Sequence, residues 1–127
     1  MKTAWMVDDD RDITQAMERM MRLVGYELRA FPNAGTAGMA ILRGERPDLI
    51  LIDVNMPEVS GLELLSFMRS RVSWDAVPAV MVSAETADVA VDEAFRRGAD
   101  AYLFKPSTLD EVKKAVEMAV TKRNGER

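Results

Sequence analysis

Four short stretches hold the residues whose types could do chemistry. They are Asp8, Asp9 and Asp10 in WMVDDDRD, Asp53 in LILIDVNMPEVSG, Ser83 in AVMVSAE and Lys105 in AYLFKP. Each stands at the end of a short apolar run, where a buried strand would stop. Carboxylates, a hydroxyl and a lysine are the types that phosphoryl chemistry uses, so the first question is whether the fold brings them together. The run of three acids poses a second one. Carboxylates sharing a crevice repel each other and raise one another's pKa unless a cation offsets the charge.

The rest of the composition narrows the choice. The chain has 127 residues, a net charge of -4, and neither histidine nor cysteine. Without them there is no Ser-His-Asp or Cys-His pair, no thiolate zinc site and no phosphohistidine of the chain's own. Any metal must be held by oxygen, which favours Mg²⁺ or Ca²⁺. The acidic balance argues against nucleic-acid contact by this segment, because phosphate binding needs clustered Lys and Arg. No apolar run is long enough to span a bilayer, and MKTAWMVDDD lacks a signal-peptide pattern, so a cytoplasmic location is expected. The length fits one domain.

The elements that must position these residues follow a regular alternation. Strands are expected at 4–7, 27–31, 49–52, 79–82 and 101–104, and helices at 10–24, 34–43, 61–70, 87–97 and 109–121. Gly25, Gly44 and Gly98 read as helix stops, and Asn33 as an N-cap. Five βα units in succession argue for an α/β doubly wound parallel sheet. In such sheets the crevice lies at the carboxyl ends of the strands, which is where Asp8–Asp10, Asp53, Ser83 and Lys105 all fall. A domain at 1–122 is expected, with 123–127 a polar tail or the start of a linker.

Each residue also has a plainer reading. Asp8, Asp9 and Asp10 suit a helix N-terminus, and Asp10 is expected to be a cap. Asp53 alone would be a turn residue before Pro57, and Ser83 a helix-entry residue. Lys105 alone would be a solvated surface lysine, although Lys105-Pro106 at a sheet edge suggests a fixed turn of the kind that admits a cis bond. Tyr102 is by default a half-buried strand aromatic, and Met17 and Met20 are core filler on the first helix. What outweighs these readings is the coincidence of all the polar residues on one rim, in one order.

That ordered set resembles the receiver domain of bacterial two-component response regulators. The matching features are an acid pair after strand one, Asp53 followed by Met56-Pro57 and Gly61, a hydroxyl at Ser83, and Lys105-Pro106. The likeness runs from Thr3 to about Val120 and implies a flavodoxin-like five-stranded sheet, (βα)5, in the order 2-1-3-4-5. It further implies that Asp53 is the phosphoacceptor, taking a phosphoryl group as an acyl phosphate. Lys105 and Ser83 would pair with the phosphoryl oxygens. Mg²⁺ would be held by Asp9, Asp53 and the backbone carbonyl of Asn55, with Asp8 acting through water.

By the same resemblance Ser83 and Tyr102 form the switch, and Asn55 and Glu85 tune phosphoryl lifetime. The donor would be a sensor histidine kinase or phosphotransfer protein. The output, a domain or a partner protein, would be controlled through the face of helix four, strand five and helix five, a face also compatible with homodimer formation on phosphorylation. No enzyme activity beyond the domain's own phosphorylation and dephosphorylation is implied.

Two departures from the family pattern stand out: Ser83 where Thr is commoner, and Ser107 where an aromatic is common. The second would loosen packing under helix five. Two other readings use the same residues. A haloacid-dehalogenase-like phosphatase wants a second Asp two positions after its nucleophile, where this chain has Asn55, and places that nucleophile on strand one. A receiver-like scaffold that works without phosphorylation would usually lack an acid or the lysine, and this chain keeps all of them.

Overall fold

Two of the three inner strands consist almost wholly of buried apolar residues, as strands covered on both faces must. They are β3 (Leu49–Asp53, LILID) and β4 (Ala79–Ser83, AVMVS), with every residue buried. The computed structural model describes residues 1–84 and 88–125. Around these strands stand β1 (Lys2–Val7), β2 (Tyr26–Phe31) and β5 (Ala101–Phe104), in the order β2-β1-β3-β4-β5, all parallel. The expected order 2-1-3-4-5 is the observed one.

Five helices complete the α/β/α layers: α1 (Arg11–Val24), α2 (Ala34–Leu42), α3 (Gly61–Arg69), α4 (Asp88–Arg96) and α5 (Leu109–Gly125). The period-2 alternation of each strand sorts its side chains between the layers. Trp5, Val7, Ile50, Ile52 and Met81 join Ile41, Leu65 and Met68 in a core under α2 and α3. Ala4, Met6, Leu49, Leu51, Val80 and Val82 face Met17, Met21, Val112 and Val116 under α1 and α5. Each fully buried aliphatic side chain contributes about 1.5–3 kcal/mol relative to exposure. The parallel register therefore cannot slip by one residue without turning both cores inside out.

Local chemistry sets the helix ends. Asp10 caps α1, accepting from the N–H groups of Asp12 (3.0 Å) and Ile13 (3.1 Å), and Gly25 closes it at φ 102°. Asn33 caps α2 through the N–H of Thr36 at 2.8 Å. Thr108 and Glu111 form a reciprocal capping box at the start of α5.

Besides shifts of one or two residues at element ends, two details differ from the sequence reading: a 3₁₀ turn at Val72–Trp74 follows α3, and α5 runs four residues past the expected end, to Gly125. Ala87, at the expected start of α4, lies outside the described residues. The turn buries Trp74 against Trp5, with ring centroids 5.5 Å apart. Trp5 also packs on Phe31 at 4.7 Å, and the Arg29 guanidinium lies over both of those rings. Among the described residues no helix is long and apolar enough to cross a membrane.

Candidate functional site

Because the strands are parallel, their carboxyl ends deliver Asp8, Asp53, Ser83 and Lys105 to one rim. Register fixes their relative heights: Val7 lies beside Ile52, Asp53 beside Val82, and Ser83 beside Phe104. Asp53 and Asp8 are nearly closed off from solvent, at 4% and 3% exposed, and Ser83 is fully buried. Asp9 is exposed. Asp8, Asp9 and Asp53 each offer a carboxylate oxygen, and these oxygens all lie within 4.8 Å of one another.

Lys105 reaches this cluster from the end of β5. Its Nζ donates to Asp8 Oδ2 at 2.8 Å and lies 3.3 Å from Asp53 Oδ1. Asp8 Oδ1 accepts from the N–H of Asp10 at 2.9 Å, and Asp53 Oδ1 from the N–H of Asn55 at 3.3 Å. Both contacts of Asp53 fall on Oδ1. Among the described residues its Oδ2 accepts no hydrogen bond.

Electrostatics follow from this arrangement. Burial and the Asp8 charge push the Asp53 carboxyl up to about 6, against the pull of Lys105 and the Asn55 N–H. The Lys105 ammonium is raised even though burial opposes it, because Asp8 and Asp53 favour its charged form. Three carboxylates against one ammonium leave two negative charges uncompensated, the charge of one divalent cation. All the donors are oxygens, in a chain with no His or Cys, so the set fits a hard ion such as Mg²⁺.

The remaining predicted residues fall into place unequally. The Asn55 side chain donates from Nδ2 to Ser83 Oγ at 3.4 Å, a long contact between two of the named residues. Tyr102 is half-buried on the α4 side of β5, 5.2 Å from the Phe104 ring, and so is not gathered among the carboxylates. Glu85 lies outside the described residues. Ser107, where an aromatic was missed, donates its hydroxyl to the Phe104 carbonyl at 2.6 Å, and Phe104 is 41% exposed. The Lys105-Pro106 bond is cis.

Two positioning features of the β3–α3 loop were not foreseen. The N–H of Gly61 donates to the Val54 carbonyl at 3.0 Å, so the start of α3 lies directly on the end of β3. Glu58 adopts φ 69°, the left-handed region that a residue with a Cβ enters at a cost of about 1–3 kcal/mol. Glu58→Gly is therefore expected to stabilise the protein by about 0.5–1 kcal/mol, the relief being partly offset by glycine's freer unfolded chain. Glu58→Val should destabilise it by about 1–2 kcal/mol. Urea midpoints measure both, and a valine variant with the wild-type midpoint would contradict the strain.

The chain is similar to known proteins. The chain is 34% identical over 117 residues to the DNA-binding transcriptional regulator NtrC of Proteus hauseri, covering 92% of this chain but only 24% of that protein. It thus spans about a quarter of the length of that relative. The chemotaxis protein CheY of Pseudomonas aeruginosa is 29% identical over 119 residues, with 94% of this chain and 96% of that one covered. Among solved structures, the chemotaxis protein CheY4 of Vibrio cholerae superposes with a TM-score of 0.85 at 28% identity, covering 94% of this chain and 98% of that one. With residues 4–117 matching the family model of the response regulator receiver domain, the chain belongs to that family.

Proposed function

We propose that this domain accepts a phosphoryl group on Asp53 from an outside phosphohistidine, that of a sensor histidine kinase or phosphotransfer protein, and changes its surface in response. Phosphoryl acceptance is the general function of receiver domains, and the observation that supports it here is the state of Asp53. Its carboxylate is buried, one oxygen is held by Lys105 and the Asn55 N–H, and the other accepts no hydrogen bond from the described residues. In the transfer Oδ2 bonds to phosphorus while the P–N bond of the donor breaks, and its electron pair leaves with the donor's imidazole. Lys105 accompanies the incoming phosphoryl oxygens as a point charge, and the Ser83 hydroxyl donates to another of them.

Mg²⁺, which receiver domains generally use, would be held by Asp9, Asp53 and the Asn55 carbonyl, with Asp8 through water. When bound it neutralises the carboxylate cluster and the charge of the phosphoryl oxygens. Ser83 moving toward the new dianion, with Tyr102 turning inward behind it, would alter the face of α4, β5 and α5 that an output domain or partner protein reads. Asn55 and Glu85 would set the phosphoryl lifetime. The accepting unit would span 1–122, with 123–127 a polar tail or the start of a linker, although α5 itself continues to Gly125.

Intact mass after incubation with Mg²⁺ and acetyl phosphate tests the acceptor. Wild type should gain one phosphoryl group, and Asp53→Asn, or wild type with EDTA, none. If wild type stays unmodified with acetyl phosphate and with a phosphorylated histidine-kinase domain, a phosphorylation-independent scaffold is the better reading.

A further inference from the structure

Four arginines are partly buried among the described residues, and three of them are matched by carboxylates. Arg69 Nη2 and Arg123 Nη2 reach the fully buried carboxylate of Asp100 at 3.0 and 2.7 Å, and Arg97 Nε holds Glu93 at 2.8 Å. Arg71 is the fourth. Its guanidinium lies 5.8 Å over the Phe67 ring and donates to no acceptor among the described residues. Its Nε is closed off from solvent as well. A shielded donor with no acceptor weighs against the fold, and an anion beside the guanidinium would relieve it.

Arg71 lies at the amino-end rim of the sheet, away from the carboxylate cluster, where the turn after α3 meets the loop between α2 and β3. There it lines a cavity of about 320 Å³ with Arg46, Ser73, Gly44, Ile41 and Trp74. Arg46 Nη1 donates to the Ser73 carbonyl at 2.6 Å, which ties the two loops together and leaves its other N–H groups unengaged among the described residues. Glu45, beside Arg46 in the chain, is already taken by Arg29 at 2.6 Å and Arg43 at 3.1 Å. No carboxylate lines this cavity, in a chain whose net charge is -4.

We propose that Arg46 and Arg71 form a binding site for a phosphate dianion, either inorganic phosphate or the headgroup of a small soluble phosphomonoester. Two guanidiniums balance two negative charges, where a carboxylate would supply one, and their planar forks match the spacing of phosphate oxygens. Ser73 adds a hydroxyl to the same lining. The volume lies at the low end of the range for ligand pockets, so the site admits a phosphate with a few further atoms. It needs neither Mg²⁺ nor Asp53, and it stands or fails separately from the phosphoacceptor reading.

Backbone amide NMR of the full chain in EDTA, titrated with inorganic phosphate, with glycerol 3-phosphate and with sodium chloride at matched ionic strength, tests the site. Phosphate should shift the amides of 44–46 and 71–74 saturably, in wild type and in Asp53→Asn alike, and chloride should not. Arg46→Gln and Arg71→Gln should each weaken binding by about tenfold or more. Arg71→Lys, which keeps the charge and loses the fork, should weaken it several-fold, and Arg22→Gln, on the exposed end of α1, should leave it unchanged. The urea midpoint of Arg71→Gln should hold or rise, because Arg71 donates to nothing in the fold. Tighter binding of glycerol 3-phosphate identifies a phosphomonoester site, and tighter binding of inorganic phosphate a site for the free ion. The proposal is overturned if these amides do not shift saturably, if chloride reproduces the shifts, if Arg71→Gln binds as wild type does, or if its midpoint falls so far that Arg71 is a structural residue.

Discussion

Gly61→Ala is expected to destabilise the domain by about 3–5 kcal/mol, a drop in Tm on the order of 10–20 °C, through one methyl group. A Cβ built on Gly61 collides with the Asp53 carbonyl oxygen and falls 2.8 Å from its carbonyl carbon and 2.9 Å from Ile52 Cγ2. Two of those atoms are backbone of the central strand, so no side-chain rotation relieves the clash. Either the start of α3 lifts off β3 and breaks the bond from Gly61 N–H to the Val54 carbonyl, or β3 bends at Asp53.

Gly38→Ala is the natural control. Gly38 lies within α2, where an added Cβ meets nothing within 4 Å, so alanine there should stabilise by about 0.5–1 kcal/mol. Thermal unfolding of the pair separates the local clash from any general effect of replacing glycine. A Gly61→Ala protein melting within a few degrees of wild type would show that the β3–α3 contact is not close.

Neutralising Asp53 should act in the opposite direction. The native carboxyl holds its proton up to about pH 6, against 3.8 for the unperturbed group. The folded state therefore binds more protons than the unfolded state between these values, and stability falls as pH rises through that window. A shift of about two units corresponds to at most about 3 kcal/mol lost by pH 7. Asp53→Asn removes that cost while Lys105 keeps its 2.8 Å contact with Asp8. In EDTA the variant should be more stable than wild type by about 1–3 kcal/mol at pH 7 and by almost nothing at pH 4.

Titrations common to both proteins cancel in this difference, so urea unfolding at the two pH values isolates Asp53. Equal midpoints at pH 7, or the same gain at pH 4, would refute the electrostatic account. Adding Mg²⁺ should raise the wild-type midpoint more than that of the variant, because the ion binds the native cluster and the variant has lost one of its carboxylates.

The contrast between these residues shows what the chain reveals before it is folded. The strands were legible because each combines a short apolar run with a polar stop, and β3 and β4 have no competing helical period, whereas their order came from the family resemblance. The cap at Asp10 was legible too, since its partners are two and three residues away. Asp100 was not. It lies 31 residues from Arg69 and 23 from Arg123, and in GADAYLF nothing separates a buried carboxylate from a solvated one. The left-handed Glu58 was hidden because glutamate carries no signal for that backbone, and the 3₁₀ turn because three residues make too short a period to read. Tyr102 stands outside the carboxylate cluster, packed beside Phe104.

The aromatic cluster beneath α2 and α3 gives the protein an optical property of its own. Its only two indoles, Trp5 and Trp74, are both buried, lie 5.5 Å apart and draw on residues separated by 69 positions of chain. The two rings are held together only while β1 and the 3₁₀ turn are docked, so their emission should change when the domain unfolds. Neither indole is among the carboxylates, so intrinsic fluorescence in this chain is a gauge of global folding, and occupancy at Asp53 must be followed by mass or by a dye attached at an introduced cysteine, of which the native sequence has none.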